Sequence, residues 1–427
     1  MMKNSLRTIA LFLLLAPPAF GQIRSQMSLQ EGYELLENNY PALKNAGIEQ
    51  EVLALSLAQL RRDRLPSIDF ATEGRYQSQS VQLETEGTPL PFAIDQPLYS
   101  VKSYVEARYL LWDGGMNAAQ RTLKEAQLAA DQQQIEVSRY GLRQRINQLF
   151  LHILLLREQA QRFALSLADL EARKAAVAAG VQQGAVLPGE LAQLEVRKLE
   201  LQAQQADLTH RESGLIATLA QLTGTPLAED VALTFPDLPE PAQIPVLKRP
   251  EQELFALQRR AILAQADLIT AGRRPKLSLF AQAGAGAPNP LNLLDSGFAP
   301  FGLVGAGFTW KITDWKKAQT DRDLLALQAQ KVSNQQATFD FNVESQAANY
   351  LAALRRLRAQ IASDEEIARL QGEILAQAAA QLDAGTLTAH EYVNHVNAEL
   401  RARQNLAIHK TELLQVQLEC WNERGGL

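Results

Sequence analysis

The sequence predicts a mostly helical fold with a small β-sheet part, in which a unit of helix, strand, strand, long helix and returning helix occurs twice in tandem. Two stretches share one register at an offset of 201 residues, the difference between positions 314 and 113. Long segments repeat apolar residues at heptad spacing, and short segments that follow a proline alternate with period two. Such repeats normally bury their faces against one another or against other chains. The matched pairs include Asp113 and Asp314, Arg121 and Arg322, Gly184 and Gly385, and Glu190 and Glu391.

An export signal is predicted at residues 1–21, where Lys3 and Arg7 precede an apolar run followed by small residues. No later stretch approaches the roughly 20 consecutive apolar residues that a membrane helix needs. We therefore expect an exported protein without a helical anchor. The remainder is predicted to comprise a first repeat at 22–223, a Pro-rich linker at 224–249 and a second repeat at 250–427.

Each repeat is predicted to end in a long helical hairpin, at about 114–223 and about 314–424. Apolar residues of the first hairpin recur at alternating spacings of four and three, which indicates a coiled-coil seam. The second hairpin keeps the same register with more polar residues in the seam. A helix from about Gly115 to Gln183 would be on the order of 100 Å long, too long to enclose a globular core.

Two strands are predicted in each repeat ahead of the hairpin. In the second strand of the first repeat, Val105 and Ala107 face one way, whereas Glu106 and Arg108 face the other. One side of such a strand can contact lipid and the other can contact water. The predicted strands lie at about 66–77, 100–112, 275–286 and 301–312.

Aromatic side chains cluster where the predicted strands meet the helices. Trp112, Trp310, Trp315 and Tyr109 occupy these junctions, and such rings favour a membrane interface. The alternative interpretation is that the strands form a small sheet in a protein surrounded by water.

The number of strands predicts an assembly of several chains. Four strands of about 10 residues can cross a bilayer, but about eight are needed to close a barrel. Open sheet edges in hydrocarbon cost several kcal/mol for each unsatisfied backbone group. Three copies would supply a 12-stranded β-barrel, continued by a 12-helix α-barrel of coiled-coil hairpins.

Several short motifs recur along the chain in a fixed order. They are Ser28-Leu29-Gln30-Glu31, Leu65-Pro66-Ser67-Ile68, Trp112-Asp113-Gly114-Gly115 and Arg249-Pro250-Glu251. A Gly-turn-acid pattern also occurs in both hairpins. In this order, the motifs resemble those of the TolC-like outer-membrane efflux proteins, and the resemblance extends from Ser28 to about Trp421.

The resemblance implies a homotrimer in the outer membrane of a Gram-negative bacterium, with its helical part in the periplasm. It also implies a passive exit duct for small molecules, opened by a periplasmic adaptor (membrane fusion) protein and an inner-membrane transporter. Two alternatives remain. One is the outer-membrane exit of a type I polypeptide secretion system, and the other is an elongated periplasmic coiled-coil scaffold.

The resemblance further implies that an acidic residue six positions after the turn glycine helps to constrict the periplasmic entrance. Glu190 and Glu391 match this position, and Glu391 is favoured because the second hairpin lines the inside in relatives. The alternative is that both carboxylates stabilise helix starts. Asp383 and Asn394 are further entrance candidates, although Asn394 stands where some relatives have a second carboxylate.

The hairpin tips are predicted to contact the adaptor through Gly184, Pro188, Gly385 and Leu387. Leu387 replaces a basic residue of the family, which argues against a salt bridge at that position. Proline at 188 is tolerated at the start of a returning helix.

No enzyme activity, cofactor or metal site is predicted. The glycine-rich segments near Gly284 and Gly305 do not lie between a strand and a helix of a βαβ unit, as a phosphate loop would require. His390 and His395 are five residues apart and do not share one helical face. The net charge of −5 does not suit nucleic-acid binding.

Overall fold

The computed structural model describes residues 23–79, 97–236, 249–292 and 294–423. The predicted export signal, most of the segment between the first two predicted strands and part of the predicted linker lie outside the described residues. The fold is mostly helical with a small sheet part. Its elements are β1 (Arg24–Ser28), α1 (Leu29–Asn39), α2 (Asn45–Arg62), β2 (Ser67–Tyr76), β3 (Tyr99–Trp112), α3 (Met116–Gln182), α4 (Pro188–Thr223), β4 (Leu227–Thr234), α5 (Pro250–Gly272), β5 (Lys276–Ala287), β6 (Ala299–Thr309), α6 (Lys317–Asp383) and α7 (Ala389–Glu423).

The two long helices have the same length. Helices α3 and α6 each contain 67 residues, and the returning helices α4 and α7 contain 36 and 35. At 1.5 Å per residue, α3 and α6 each span about 100 Å. The hairpin tips therefore lie far from the sheet.

Strands β2, β3, β5 and β6 form one antiparallel sheet in that order. Among the described residues, β2 and β6 each have one strand neighbour and form its two edges. Large apolar side chains project from one face, where Phe70 is 73% and Val304 is 84% exposed. The other face is polar, since Glu73 accepts from the Tyr104 hydroxyl at 2.7 Å and pairs with Lys102 at 3.1 Å.

The helical hairpins bury a continuous apolar seam, which we call the hairpin core. In the first hairpin, Phe163, Leu170 and Val177 of α3 pack against α4. Polar seam residues pair across the two helices, as Lys198 does with Glu171 at 2.7 Å. The full set of buried residues is Phe163, Leu170, Val177, Leu194, Leu201, Leu208, Ala378, Ala379, Leu382, Ala389, Tyr392, Val396 and Leu400.

A second core lies along α3 between the sheet and the hairpin core. It contains strand β4, which the sequence analysis did not predict. Strand β4 falls inside the segment predicted as a Pro-rich linker, at 224–249, and it pairs in parallel with β1. Its side chains alternate poorly, and its partner is about 200 residues away in sequence. The completely buried Val231 of β4 packs with Phe150 and Leu219 in this core.

The strand-to-helix junctions differ between the two repeats. Asp113 accepts the N–H groups of Gly115 and Asn117 at 2.8 and 2.7 Å. Gly114 has φ 72°, and a Cβ there would lie 2.8 Å from Cβ of Arg274. At the second junction, Trp315 and Lys316 take the left-handed conformation with φ 52° and 66°. Left-handed backbone costs about 1–3 kcal/mol in residues other than glycine, so this junction is strained.

The hairpin core predicts the effect of a single substitution. We expect Leu201→Ala to lower the free energy of unfolding by about 2–5 kcal/mol, because the fully buried side chain would leave a cavity. The control is Gln202→Ala, next to it and exposed, which should change stability by less than about 0.5 kcal/mol. Chemical denaturation followed by helical circular dichroism measures both. An equal loss of unfolding free energy in the two variants would contradict the assignment of Leu201 to the seam.

Candidate functional site: the hairpin tips

Both hairpins turn at a glycine. Gly184 and Gly385 have φ 73° and 69°, which is the left-handed conformation that glycine adopts without steric cost. Nothing lies within 4 Å of a Cβ built on either glycine. The backbone conformation therefore explains the glycines, and both turns leave free space beside them.

The returning helix of the first hairpin connects the two tips. Pro188 is the first residue of α4, a position where its missing N–H costs no hydrogen bond. Two residues later, a carboxylate oxygen of Glu190 accepts the backbone N–H of Ala389, the first residue of α7. The acid of the first hairpin thus caps the helix of the second.

Glu391 takes part in a capping box at the start of α7. Its carboxylate accepts the Thr388 N–H at 3.1 Å and the Thr388 hydroxyl at 2.9 Å, while its own N–H donates to that hydroxyl at 3.2 Å. These hydrogen bonds to the charged form hold the pKa of Glu391 below its usual range. The geometry therefore assigns Glu391 a helix-capping role, and its exposed position leaves an entrance role to experiment.

A second set of contacts, the tip network, joins Asp169 and Arg173 of α3 to Asp383 of α6 and Tyr392 of α7. The Tyr392 side chain is completely buried, and its hydroxyl donates to Asp169. Arg173 pairs with Asp383 and lies 3.5 Å from Asp169. Burial, followed by the neighbouring Asp169 carboxylate, raises the pKa of Tyr392 well above its usual range. The network holds the second hairpin against the first.

The remaining predicted tip residues have simpler surroundings. Leu387 is half-buried and packs against the hairpin core. Asn394 is exposed on α7. The described residues contain no group of three or more potential metal ligands. Within the same part of the chain, no helix is both long enough and apolar enough to pass through a membrane.

The predicted interface aromatics lie at the opposite end of the hairpins. Trp112 ends β3 and Trp310 follows β6, each with about half of its side chain exposed. Tyr109 is also on β3, and Trp315, in the strained junction, is 94% exposed. The predicted site residues therefore form two separate groups, one at the tips and one near the sheet.

Sequence reasoning proposed Asp383 but missed its partner Arg173, and it missed the pair of Asp169 and Tyr392. One signal was available. Tyr392 occupies an apolar position near the start of α7, and a buried tyrosine hydroxyl normally requires a hydrogen-bond partner. The identity of that partner depends on how α3 and α7 pack, which local sequence does not specify.

Solved structures with the same fold include several outer-membrane proteins. The outer membrane protein VceC from Vibrio cholerae is 16% identical, with a TM-score of 0.69 over 93% of this chain and 96% of its own. The Campylobacter jejuni CmeC outer membrane channel is 17% identical, with a TM-score of 0.64 over 93% and 85%. The Neisseria gonorrhoeae MtrE outer membrane channel, solved in an open state, is 17% identical, with a TM-score of 0.60 over 91% and 88%.

At these identities the similarity establishes the fold. A search with protein-family profiles found no match, and a search of curated protein sequences found none either.

The capping box predicts a pH dependence. Because the folded-state pKa of Glu391 is depressed, its capping contribution is complete above the unfolded pKa of about 4.3 and is lost as pH falls through the folded value. We expect hydrogen-exchange protection in the first turn of α7 to fall over that acidic range. Glu391→Gln, which keeps a capping side chain without the charge, should remove the glutamate-specific part of this change. An identical acid profile in both proteins would contradict the prediction.

Proposed function

We propose that this chain is a TolC-like outer-membrane channel of a Gram-negative bacterium and the exit duct of a tripartite efflux system. One observation carries the proposal: a four-stranded sheet with one apolar face, one polar face and two open edges is joined to helical hairpins about 100 Å long. The shared fold with outer-membrane channels over more than nine-tenths of this chain supports it.

The physics of the sheet requires several copies of the chain, and the resemblance to TolC-like proteins implies that there are three. A lipid-facing sheet must pair all of its edges, and four strands are about half the practical minimum for a closed barrel. Three chains supply twelve strands in the membrane. The helices α3, α4, α6 and α7 of each chain then form a 12-helix barrel in the periplasm. The polar sheet face, with Glu73, Lys102 and Glu106, would line the water-filled lumen.

The duct is proposed to be passive and to open at its tips. A periplasmic adaptor (membrane fusion) protein would contact Gly184, Pro188, Gly385 and Leu387, and an inner-membrane transporter would supply the energy. Opening requires the second hairpin to move away from the first. The contacts that oppose this movement include the tip network, the Glu190 cap on Ala389 and the apolar side chains that the two hairpins share in the hairpin core.

These contacts set the energy scale of opening. A hydrogen bond to a charged group is worth about 1.5–3 kcal/mol net. Breaking one such contact in each of three chains would therefore cost roughly 5–9 kcal/mol, which is within the range of a protein–protein binding free energy. Glu391, if it also lines the entrance, would add negative charge there without a second acidic ring, because position 394 is asparagine.

Fractionation tests this assignment. We expect the protein in the outer-membrane fraction, with a trimer band on an unheated gel that collapses to a monomer on heating. A monomer in the periplasmic fraction would instead support the coiled-coil scaffold.

Deletion of the gene tests the cargo. It should raise the sensitivity of the cells to small toxic compounds and leave secreted proteins unchanged. Loss of a secreted polypeptide, with unchanged sensitivity, would support the type I secretion alternative.

The tip network predicts a gating phenotype. Tyr392→Phe removes the hydroxyl that donates to Asp169 in every chain of the trimer. A loss of about 1–2 kcal/mol per chain should raise the open probability in planar bilayers by at least about 5- to 30-fold. Tyr33→Phe is the matched control, since the buried Tyr33 hydroxyl donates to Asn147 in the core remote from the tips. Equal changes in open probability in the two variants would contradict a gate at the tip network.

A further inference from the structure

The second strand-to-helix junction carries large side chains where the first has glycines. At the offset of 201 residues, Trp315 matches Gly114 and Lys316 matches Gly115. These residues all take the left-handed conformation, with φ of 52° and 66° in the second junction and 72° and 87° in the first. Glycine adopts this conformation without steric cost, so the backbone does not require tryptophan and lysine here.

The described part of the chain offers these two side chains little to contact. Trp315 is 94% exposed, and Lys316 is exposed as well. Residues other than glycine persist in such a conformation where the surrounding structure or a function requires them. The two side chains therefore indicate a contact outside the single chain.

Trp315 and Lys316 belong to a basic and apolar surface, which we call the junction patch. It consists of Trp310, Lys311, Ile312, Trp315, Lys316 and Lys317. Its lysines are exposed, and none of them has an ion pair among the described residues. The acid between them, Asp314, is already occupied, because its carboxylate pairs with Arg273 at 3.4 Å and accepts the Ala318 N–H at 3.1 Å.

The junction patch continues the apolar face of the sheet. Phe308 of β6 projects from that face, and Trp310 and Ile312 follow it at intervals of two residues. All three are exposed. In the proposed channel, the patch would lie at the periplasmic boundary of the membrane. Tryptophan rings are favoured at that depth, and lysine side chains there can extend their ammonium groups to the lipid phosphates.

The charge of the junction patch favours an anionic partner. At the other open edge of the sheet, Arg61, Arg62 and Arg64 precede β2 and are exposed, with Asp63 between them. In the proposed barrel, a second copy of the chain would therefore bring mainly positive charge to this level. The whole chain has a net charge of −5, so this level differs in sign from the rest of the molecule.

We propose that the junction patch binds the headgroups of anionic phospholipids in the periplasmic leaflet of the outer membrane. The indole of Trp315 would lie among the headgroups, and Lys311, Lys316 and Lys317 would pair with phosphate oxygens. This inference rests on the proposed channel, and it adds the class of lipid that the channel selects.

Removal of the charges tests the lipid site. The purified full-length protein is equilibrated in mixed micelles with equal amounts of phosphatidylglycerol and phosphatidylcholine, and mass spectrometry measures the two lipids that it retains. We expect Lys316→Asn with Lys317→Gln to lower the preference for phosphatidylglycerol by about 5- to 25-fold, since each basic residue near an anionic surface contributes about five-fold. Asparagine tolerates the left-handed conformation at position 316.

The matched control is Lys331→Gln with Arg401→Gln, which removes two exposed charges from helices α6 and α7 away from the junction. It should leave the lipid preference unchanged. No preference in the unsubstituted trimer, or an equal loss in both double variants, would overturn the lipid site and leave the channel proposal standing.

A second variant separates lipid binding from contacts between copies. Trp315→Gly with Lys316→Gly gives the second junction the glycines of the first and suits the left-handed backbone. We expect this variant to remain a trimer by amine cross-linking and to lose at least about five-fold of the lipid preference. A monomer would assign the two side chains to subunit contacts and overturn the lipid site. An unsubstituted protein that is a periplasmic monomer would overturn the channel proposal as well.

Discussion

The backbone groups at the two open edges of the sheet are the constraint on which the molecule depends. Among the described residues, β2 and β6 each have one strand neighbour, so each has a row of unpaired N–H and C=O groups beside the apolar face, and in the proposed barrel hydrocarbon would offer those groups no partners. The four strands of this sheet are too few to close into a barrel, so the proposal assigns the missing partners to other copies of the chain.

The helical part solves a different problem. The hairpin core binds the helices of each hairpin by small and aliphatic side chains, while charged seam residues such as Lys198 and Glu171 pair at the surface. Such pairs add little stability when exposed. Near the tips the two hairpins are joined both by apolar side chains of the hairpin core and by polar links, namely the tip network and the Glu190 cap on Ala389. In the proposed duct, the polar links could be exchanged for water or for a partner during opening, while the seam within each hairpin stays buried.

The spacing of apolar residues in the sequence was sufficient to predict the long helices and the strands of the four-stranded sheet. Heptad spacing predicted the α3 seam, and period two predicted which residues of β3 share a face. Strand β4 was missed because its pairing with β1 depends on a contact distant in sequence. The tip network was mostly missed because side-chain partners such as Arg173 and Asp383 are chosen by helix packing. Glu391 was singled out by resemblance, and its hydrogen bonds to Thr388 support the simpler capping interpretation.

The equal lengths of α3 and α6 restrict which insertions and deletions the chain can accept. One residue inserted into either helix would displace everything beyond it by about 1.5 Å and turn it by about 100°. The tyrosine at 392 would then no longer meet the aspartate at 169. Evolution can therefore lengthen or shorten this molecule only by coordinated insertions or deletions in both halves, preferably in steps of about seven residues, which preserve the seam.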